Sequence, residues 1–139
     1  MKVALLAATL VLLTSNALAE GWICQADMAT GFIFNGTMWE SAEFSVVDSE
    51  YLIRRPNPDD AEEALYDWIV VTIGEQDSHY QCQDDPGDGL LECAGRLWGE
   101  FNLDMTRLRF VLTYSMGYLT GLNENADTPL MEIGRCSPN

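Results

Sequence analysis

HYQCQDDPGDGLLECAG, residues 79–95, carries one cysteine on each side of a dense group of turn formers, Asp85-Pro86-Gly87-Asp88-Gly89. Such a cluster between two alternating segments predicts a β-hairpin. Pairing Cys82 with Cys93 across an antiparallel ladder sets Tyr80 opposite Gly95 and Asp84 opposite Leu91, all on one face, because strand side chains alternate with period two. His79, Gln81, Gln83, Glu92 and Ala94 then point the other way. The inner face reads Tyr, Cys and Leu and the outer face is polar, as expected of a sheet with one buried side.

Working outward from this hairpin, the remaining two cysteines, Cys24 and Cys136, lie near the start and the end of the chain. If Cys82 pairs with Cys93, these two pair with each other and tie the first strand to the last. Four cysteines allow three connectivities, and the hairpin register selects this one. A metal site would call for a CxxC or a pair of histidines, and the sequence has neither. Disulfides belong to oxidising compartments, and the N-terminus agrees. Met1-Lys2 is a short basic region, Val3 to Leu13 an apolar run, and Ala17-Leu18-Ala19 a small-residue cleavage motif. Residues 1–19 are therefore expected to be a signal peptide and residues 20–139 a single domain in the periplasm or secreted. The apolar run is short of the roughly 20 residues needed to span a bilayer.

Processing at that site would remove the only lysine and leave six arginines against 22 acidic residues. A surface so acidic argues against binding nucleic acid or an anionic membrane, both of which call for a basic patch. Three readings of the charge stay open: solubility, including adaptation to a saline habitat, a cationic protein partner, or a divalent cation.

The mature chain otherwise reads as short strands divided by turns. Gly21 to Met28 is a first strand with Trp22, Cys24 and Ala26 on one face, broken at Ala29-Thr30-Gly31. Phe32 to Phe34 follows and ends at Asn35-Gly36, a strong turn signal. Phe44 to Val47 and Tyr51 to Arg55 are further β segments. A short helix is expected near 58–66, with Asp59 as its cap and Glu62 three residues on. Trp68 to Ile73 is a continuous apolar, β-branched run, hence a central strand. After Gly95 the alternation continues through Leu97, Gly99, Phe101 and Leu103. A turn at Met105-Thr106 would then pair Phe101 with Phe110 and Leu103 with Leu108 inside, and Asp104 with Arg107 outside. Tyr118 to Leu122 and Pro129 to Cys136 complete the set. The expected fold is all-β: an antiparallel meander that curls into a small barrel or half-barrel with two disulfides, a two-sheet sandwich being the alternative.

Chemistry-bearing motifs are sparse. His79 is the only histidine, and neither a Gly-x-Ser-x-Gly elbow nor a free cysteine accompanies it. Asp84, Asp85 and Asp88 partly fit a calcium loop, but Pro86 and Gly95 stand where such a loop has carboxylates, so a tight turn is the better reading. Trp39, Tyr51 and Trp98, with Arg96 and Arg109, form a candidate contact patch of aromatic and arginine side chains.

The motifs FNLD, RLRF, TYSMGY and IGRC between Leu97 and Cys136, with Cys24, Gly31-Phe32 and Trp39, resemble a pattern in small exported proteins of proteobacteria and their phages. That resemblance implies a secreted β fold and says nothing about mechanism. Tyr80-Gln81-Cys82 is similar to the Tyr-x-Cys of the C-type lysozyme inhibitors, although their Ser- and Lys-bearing loops have no counterpart. The expectation is a monomeric, non-enzymatic binding protein without cofactor, whose ligand is a partner protein, cationic on charge grounds, or a small apolar molecule in the barrel mouth. Inhibition of a cationic cell-wall-degrading enzyme such as lysozyme is one alternative, and hydrolysis is another.

Overall fold

The computed structural model describes residues 21–59, 61–75, 77–84, 88–95, 98–121, 123 and 128–139, without the side chain of Asp84. The expected signal peptide, Asp85 to Gly87, Arg96 and Leu97 lie outside the described residues. Nine strands form one antiparallel sheet: β1 Gly21–Phe34, β2 Trp39–Phe44, β3 Glu50–Arg54, β4 Trp68–Thr72, β5 Tyr80–Asp84, β6 Leu90–Gly95, β7 Glu100–Asp104, β8 Arg109–Tyr114 and β9 Leu130–Pro138. The order is β2-β1-β3-β4-β5-β6-β7-β8-β9, and β1 also pairs with β9. Eight strands therefore close into a barrel, and β2 extends one side of it.

The hairpin at the centre of the sequence has the expected register, with Tyr80 opposite Gly95, Cys82 opposite Cys93 and Asp84 opposite Leu91. Both disulfides form, Cys82 with Cys93 and Cys24 with Cys136. Each joins residues directly opposite one another on neighbouring strands.

β1 is one long strand, where the sequence predicted two pieces broken at Ala29-Thr30-Gly31. Its register against β9 shifts between Ala26 and Met28. This bulge at Asp27 reverses the facing of the residues beyond it, so that Cys24 and Ala26 point inward before it and Ala29 points inward after it. The bulge also lets one strand serve two neighbours on the same edge, β3 along Gly21 to Gln25 and β2 along Ala29 to Phe34.

Three other expectations are corrected. Residues 58–66 hold only a 3-10 turn, Glu63–Leu65, with no side-chain cap. Its buried Glu63 instead accepts from the Asn57 N–H and pairs with Arg54 on β3. Tertiary contact, rather than helix propensity, shapes this excursion. The only α-helix among the described residues is a single turn, α1 Met116–Thr120, where a strand was predicted over Tyr118 to Leu122. The alternation after Gly95 is interrupted, because the chain reverses between Gly95 and Gly99 and β7 returns along β6 with Phe101 opposite Cys93.

The β7–β8 hairpin keeps its predicted inward and outward faces but shifts by two residues. Leu103 meets Phe110, Phe101 meets Leu112 and Asp104 meets Arg109. The turn is longer than two residues because Asp104 caps it, its carboxylate accepting from the Thr106 and Arg107 N–H groups. Leu108 takes a positive φ of 55° in this turn instead of joining the core. Asp104 and Arg107 do pair, at 2.8 Å, but within the turn.

Among the described residues, the inward side chains pack against one another. Cys24, Ile53, Val70, Cys82, Leu91, Phe101, Leu103 and Phe110 are at most 1% exposed. Phe101 and Phe110, diagonal neighbours on β7 and β8, stack with centroids 4.9 Å apart, and the Tyr51 ring meets both edge-on. Gly134 admits this packing. A Cβ there would stand 2.2 Å from the Gln25 carbonyl oxygen and 2.5 Å from the Phe110 ring. At one end Trp68 lies between the Trp22 ring, 4.8 Å away, and the Arg55 guanidinium, 3.8 Å above its centroid.

The two disulfides close loops of very different length, with separations of 112 and 11 residues. Because a longer closed loop restricts the unfolded chain more, removing Cys24–Cys136 by paired serine substitution is expected to cost about 4–5 kcal/mol, and removing Cys82–Cys93 about 3 kcal/mol. Urea unfolding of the two double variants checks the order. Equal losses would contradict it.

Candidate functional site

Of the residues expected to form one contact patch, Tyr51 lies in the core and Trp98 and Arg109 stand at opposite ends of β7. Tyr51 is 8% exposed and belongs to the core, because β3 turns Tyr51 and Ile53 inward. Trp98 is 70% exposed and sits in the Gly95–Gly99 reversal with φ of 63°, a conformation rare for a bulky residue. Arg109 begins β8, at the other end of the barrel from Trp98, with the length of β7 between them. Trp39 is half-buried on β2. Its ring packs against Phe34 and Tyr118, and its indole N–H donates to Asn123 Oδ1 at 3.2 Å. Arg96 lies outside the described residues.

The candidate calcium turn is described only at Asp88, whose carboxylate accepts from the Leu90 N–H at 2.9 Å and so caps the hairpin. Among the described residues no three His, Cys, Asp or Glu side chains converge as metal ligands would. His79 is half-buried, and its Nε2 contacts the Glu75 carboxylate.

Inside the barrel the sequence reading missed a carboxylate. Glu132 on β9 is 7% exposed and faces the core. Tyr51 donates its hydroxyl to Glu132 Oε2 at 2.6 Å, and Ser49 donates to Oε1 at 3.1 Å. Both carboxylate oxygens are thus engaged, as a buried charge requires. Burial, and then the hydrogen bond to Glu132, push the Tyr51 hydroxyl well above the usual tyrosine range. Tyr80 is pushed up to about 12 by burial and by the nearby Glu132. The sequence signal for this site was the period-two alternation of β9, which places Glu132 in phase with Gly134 and Cys136.

Two outer walls are distinct in character. Across β5, β6 and β7, Gln81, Gln83, Glu92, Glu100 and Asn102 line a shallow concavity of about 660 Å³ with the ring of Tyr66 at its edge. The ladder fixes this arrangement, since Glu92 stands between Gln83 and Asn102 and Ala94 stands between Gln81 and Glu100.

Across β8, β9 and β1 the outer wall is apolar. Val111, Ile133 and Met28 form one row across the three strands, and Thr113, Met131 and Thr30 form the next. Val111, Ile133, Met131 and Met28 are 38%, 44%, 46% and 62% exposed. At the end of this wall Arg109 stands directly opposite Arg135. Arg135 grips Asp27 through two hydrogen bonds of 2.7 and 2.9 Å, and these hold the Asp27 carboxyl below its usual pKa, with a lesser contribution from Arg109.

No protein-family model, curated protein or solved structure matches the chain.

Tyr51→Phe removes the stronger donor to a buried carboxylate and is expected to destabilise the fold by about 1.5–3 kcal/mol. The tyrosines also make stability sensitive to alkali. The folded chain holds their protons beyond pH 10, where unfolded tyrosines release them. This stabilisation is complete below about pH 10 and is lost as pH rises towards about 12 for Tyr80, and higher for Tyr51. Urea unfolding of wild type and Tyr51→Phe across this range checks both points. A flat profile for wild type would refute the tyrosine assignment.

Proposed function

We propose that the protein is an exported, non-enzymatic binding protein for a basic protein partner, which it meets on the outer wall of β5, β6 and β7. The observation that carries this reading is the outer concavity of Glu92, Glu100, Gln81, Gln83, Asn102 and Tyr66 on a barrel whose inward side chains pack against one another. The close packing of the inward side chains favours the outer wall as the place of binding. Two carboxylates among amides and a phenol ring suit the arginine and lysine side chains of a partner, and the formal net charge of −15 would draw such a partner in from a distance. The apolar run and small-residue motif of residues 1–19, with two disulfides, support export to the periplasm or beyond.

Inhibition of a cationic cell-wall-degrading enzyme is the more specific form of the same reading, favoured by the charge and by the small disulfide-bonded barrel. A hydrolytic reading draws least support. Glu132, the buried carboxylate that could act as an acid or base, has both oxygens engaged by hydroxyl groups within the barrel.

Calorimetric titration with a C-type lysozyme and a second basic protein, at low and raised ionic strength, tests the proposal. Binding is expected at low salt, with weakening as salt rises and a further loss of about tenfold in Glu92→Gln/Glu100→Gln. Absence of binding to both proteins at low salt, or equal binding by the double variant, would overturn it.

A further inference from the structure

The wall of β8, β9 and β1 lies across the barrel from β5 and β6 and serves a different purpose from the acidic concavity. A barrel strand normally alternates an apolar inward face with a polar outward one. Here the outward positions Val111, Met131, Ile133 and Met28 are apolar on three adjacent strands, and the face has a polarity along its length. At one end a groove of about 510 Å³ contains Arg109, Arg135, Asp27, Val111 and Ile133. At the other a groove of about 440 Å³ contains Glu43, Met28, Met131 and Ile133. Ile133 and Asp27 border both grooves. Glu43 reaches this face because β2 pairs with the far half of β1, where Glu43 stands opposite Thr30.

Arg109 and Arg135 are like charges placed directly across a ladder, which is unfavourable. Asp27 receives both of its side-chain hydrogen bonds from Arg135. With Asp104, opposite Arg109 on β7, held by Arg107, this strand end gathers Arg107, Arg109 and Arg135 against Asp27 and Asp104, a local positive excess on a chain whose net charge is −15.

An interface between identical subunits related by a two-fold axis uses the same patch on each copy, so the patch must complement itself. A face with arginines at one end, a carboxylate at the other and apolar rows between meets that condition. We propose that this face is a self-association surface on which two copies of the chain pack Met28, Val111, Met131 and Ile133 together, with Arg109 of each copy facing Glu43 of the other. The sequence led to the expectation of a monomer. The apolar rows are visible only once β1, β8 and β9 lie side by side.

Self-association has a salt dependence opposite to that of the basic-partner reading. Two chains of large negative charge repel at long range, and at low ionic strength that repulsion spans a domain of this size. Raising the salt from low to physiological concentration screens it and tightens the dimer, whereas binding of a basic protein loosens. The two proposals can thus fail separately.

Sedimentation equilibrium of the purified, disulfide-bonded protein tests the dimer over a range of concentration and salt. The wild type is expected to dimerise reversibly, and more tightly as salt rises to physiological levels. Ile133→Glu is expected to be monomeric. Arg109→Glu and Glu43→Arg should each raise the dissociation constant about tenfold or more by setting like charges face to face, and the two together should restore it. Thermal unfolding verifies that each variant is folded, and restoration by the double exchange is a result that misfolding cannot produce. A wild type that stays monomeric at millimolar concentration, a dimer indifferent to Ile133→Glu, or a double exchange that fails to restore association would overturn the proposal.

Discussion

Closure of the ring between β1 and β9 is the constraint on which the other strands depend. An open antiparallel sheet leaves two rows of unpaired backbone groups, and a barrel leaves none around its circumference. Here β1 pairs with β9 along most of its length while its other edge holds β3 at one end and β2 at the other. The bulge at Asp27 turns that residue outward, where it meets Arg135 of the closing strand. The Cys24–Cys136 bond lies on the same seam, three residues from the bulge. Gly134 lets the two backbones approach there over the Phe110 ring.

Closure also decides what the interior contains. The stacked Phe101 and Phe110 rings and the edge-on ring of Tyr51 occupy the space between the walls. The Tyr51 hydroxyl and Ser49 engage Glu132, so the one acidic side chain of β9 enters the core with its oxygens satisfied. Burial and the neighbouring carboxylate then raise the tyrosine pKa values, linking a packing solution to the response to alkali. The close packing of the inward side chains shifts the question of function to the outer surface. There the walls differ in what occupies the outward positions: glutamates and amides on β5 to β7, and aliphatic and methionine side chains on β8, β9 and β1.

Local pattern determined much of this protein. The turn formers between Cys82 and Cys93 set a register that the structure reproduces residue for residue, and with it both disulfides. Period-two alternation placed Phe101, Leu103 and Phe110 inside, where the structure buries all three, while Leu108 left for the turn. The continuous apolar run from Trp68 to Ile73 marked a strand, which forms over Trp68–Thr72 and is buried through Val71, while Ile73 lies beyond it and is exposed. These features are legible because a strand's alternation is imposed by its own covalent geometry.

What only the tertiary structure decided was set by partners distant in sequence. β1 looked broken at Ala29-Thr30-Gly31, yet pairing with β2 and β9 holds it continuous, and Gly31 is used for close approach to Pro129. The shift of β7 against β8 preserves both faces, so hydrophobic pattern was blind to it, and the Asp104 cap selected the longer turn. The 58–66 segment had helix-forming residues, but Glu63 was drawn to Arg54 and the Asn57 N–H. Tyr51 read equally well as a surface aromatic until Glu132, 81 residues away, gave its hydroxyl a buried acceptor. Trp98 and Arg109 likewise stand at opposite ends of β7, a separation set by the strand pairing. The apolar outer wall joins β1 to β8 and β9 from the other end of the chain, and composition and spacing carry no record of which distant strands become neighbours, whereas the polar face of β5 and β6 follows from their hairpin.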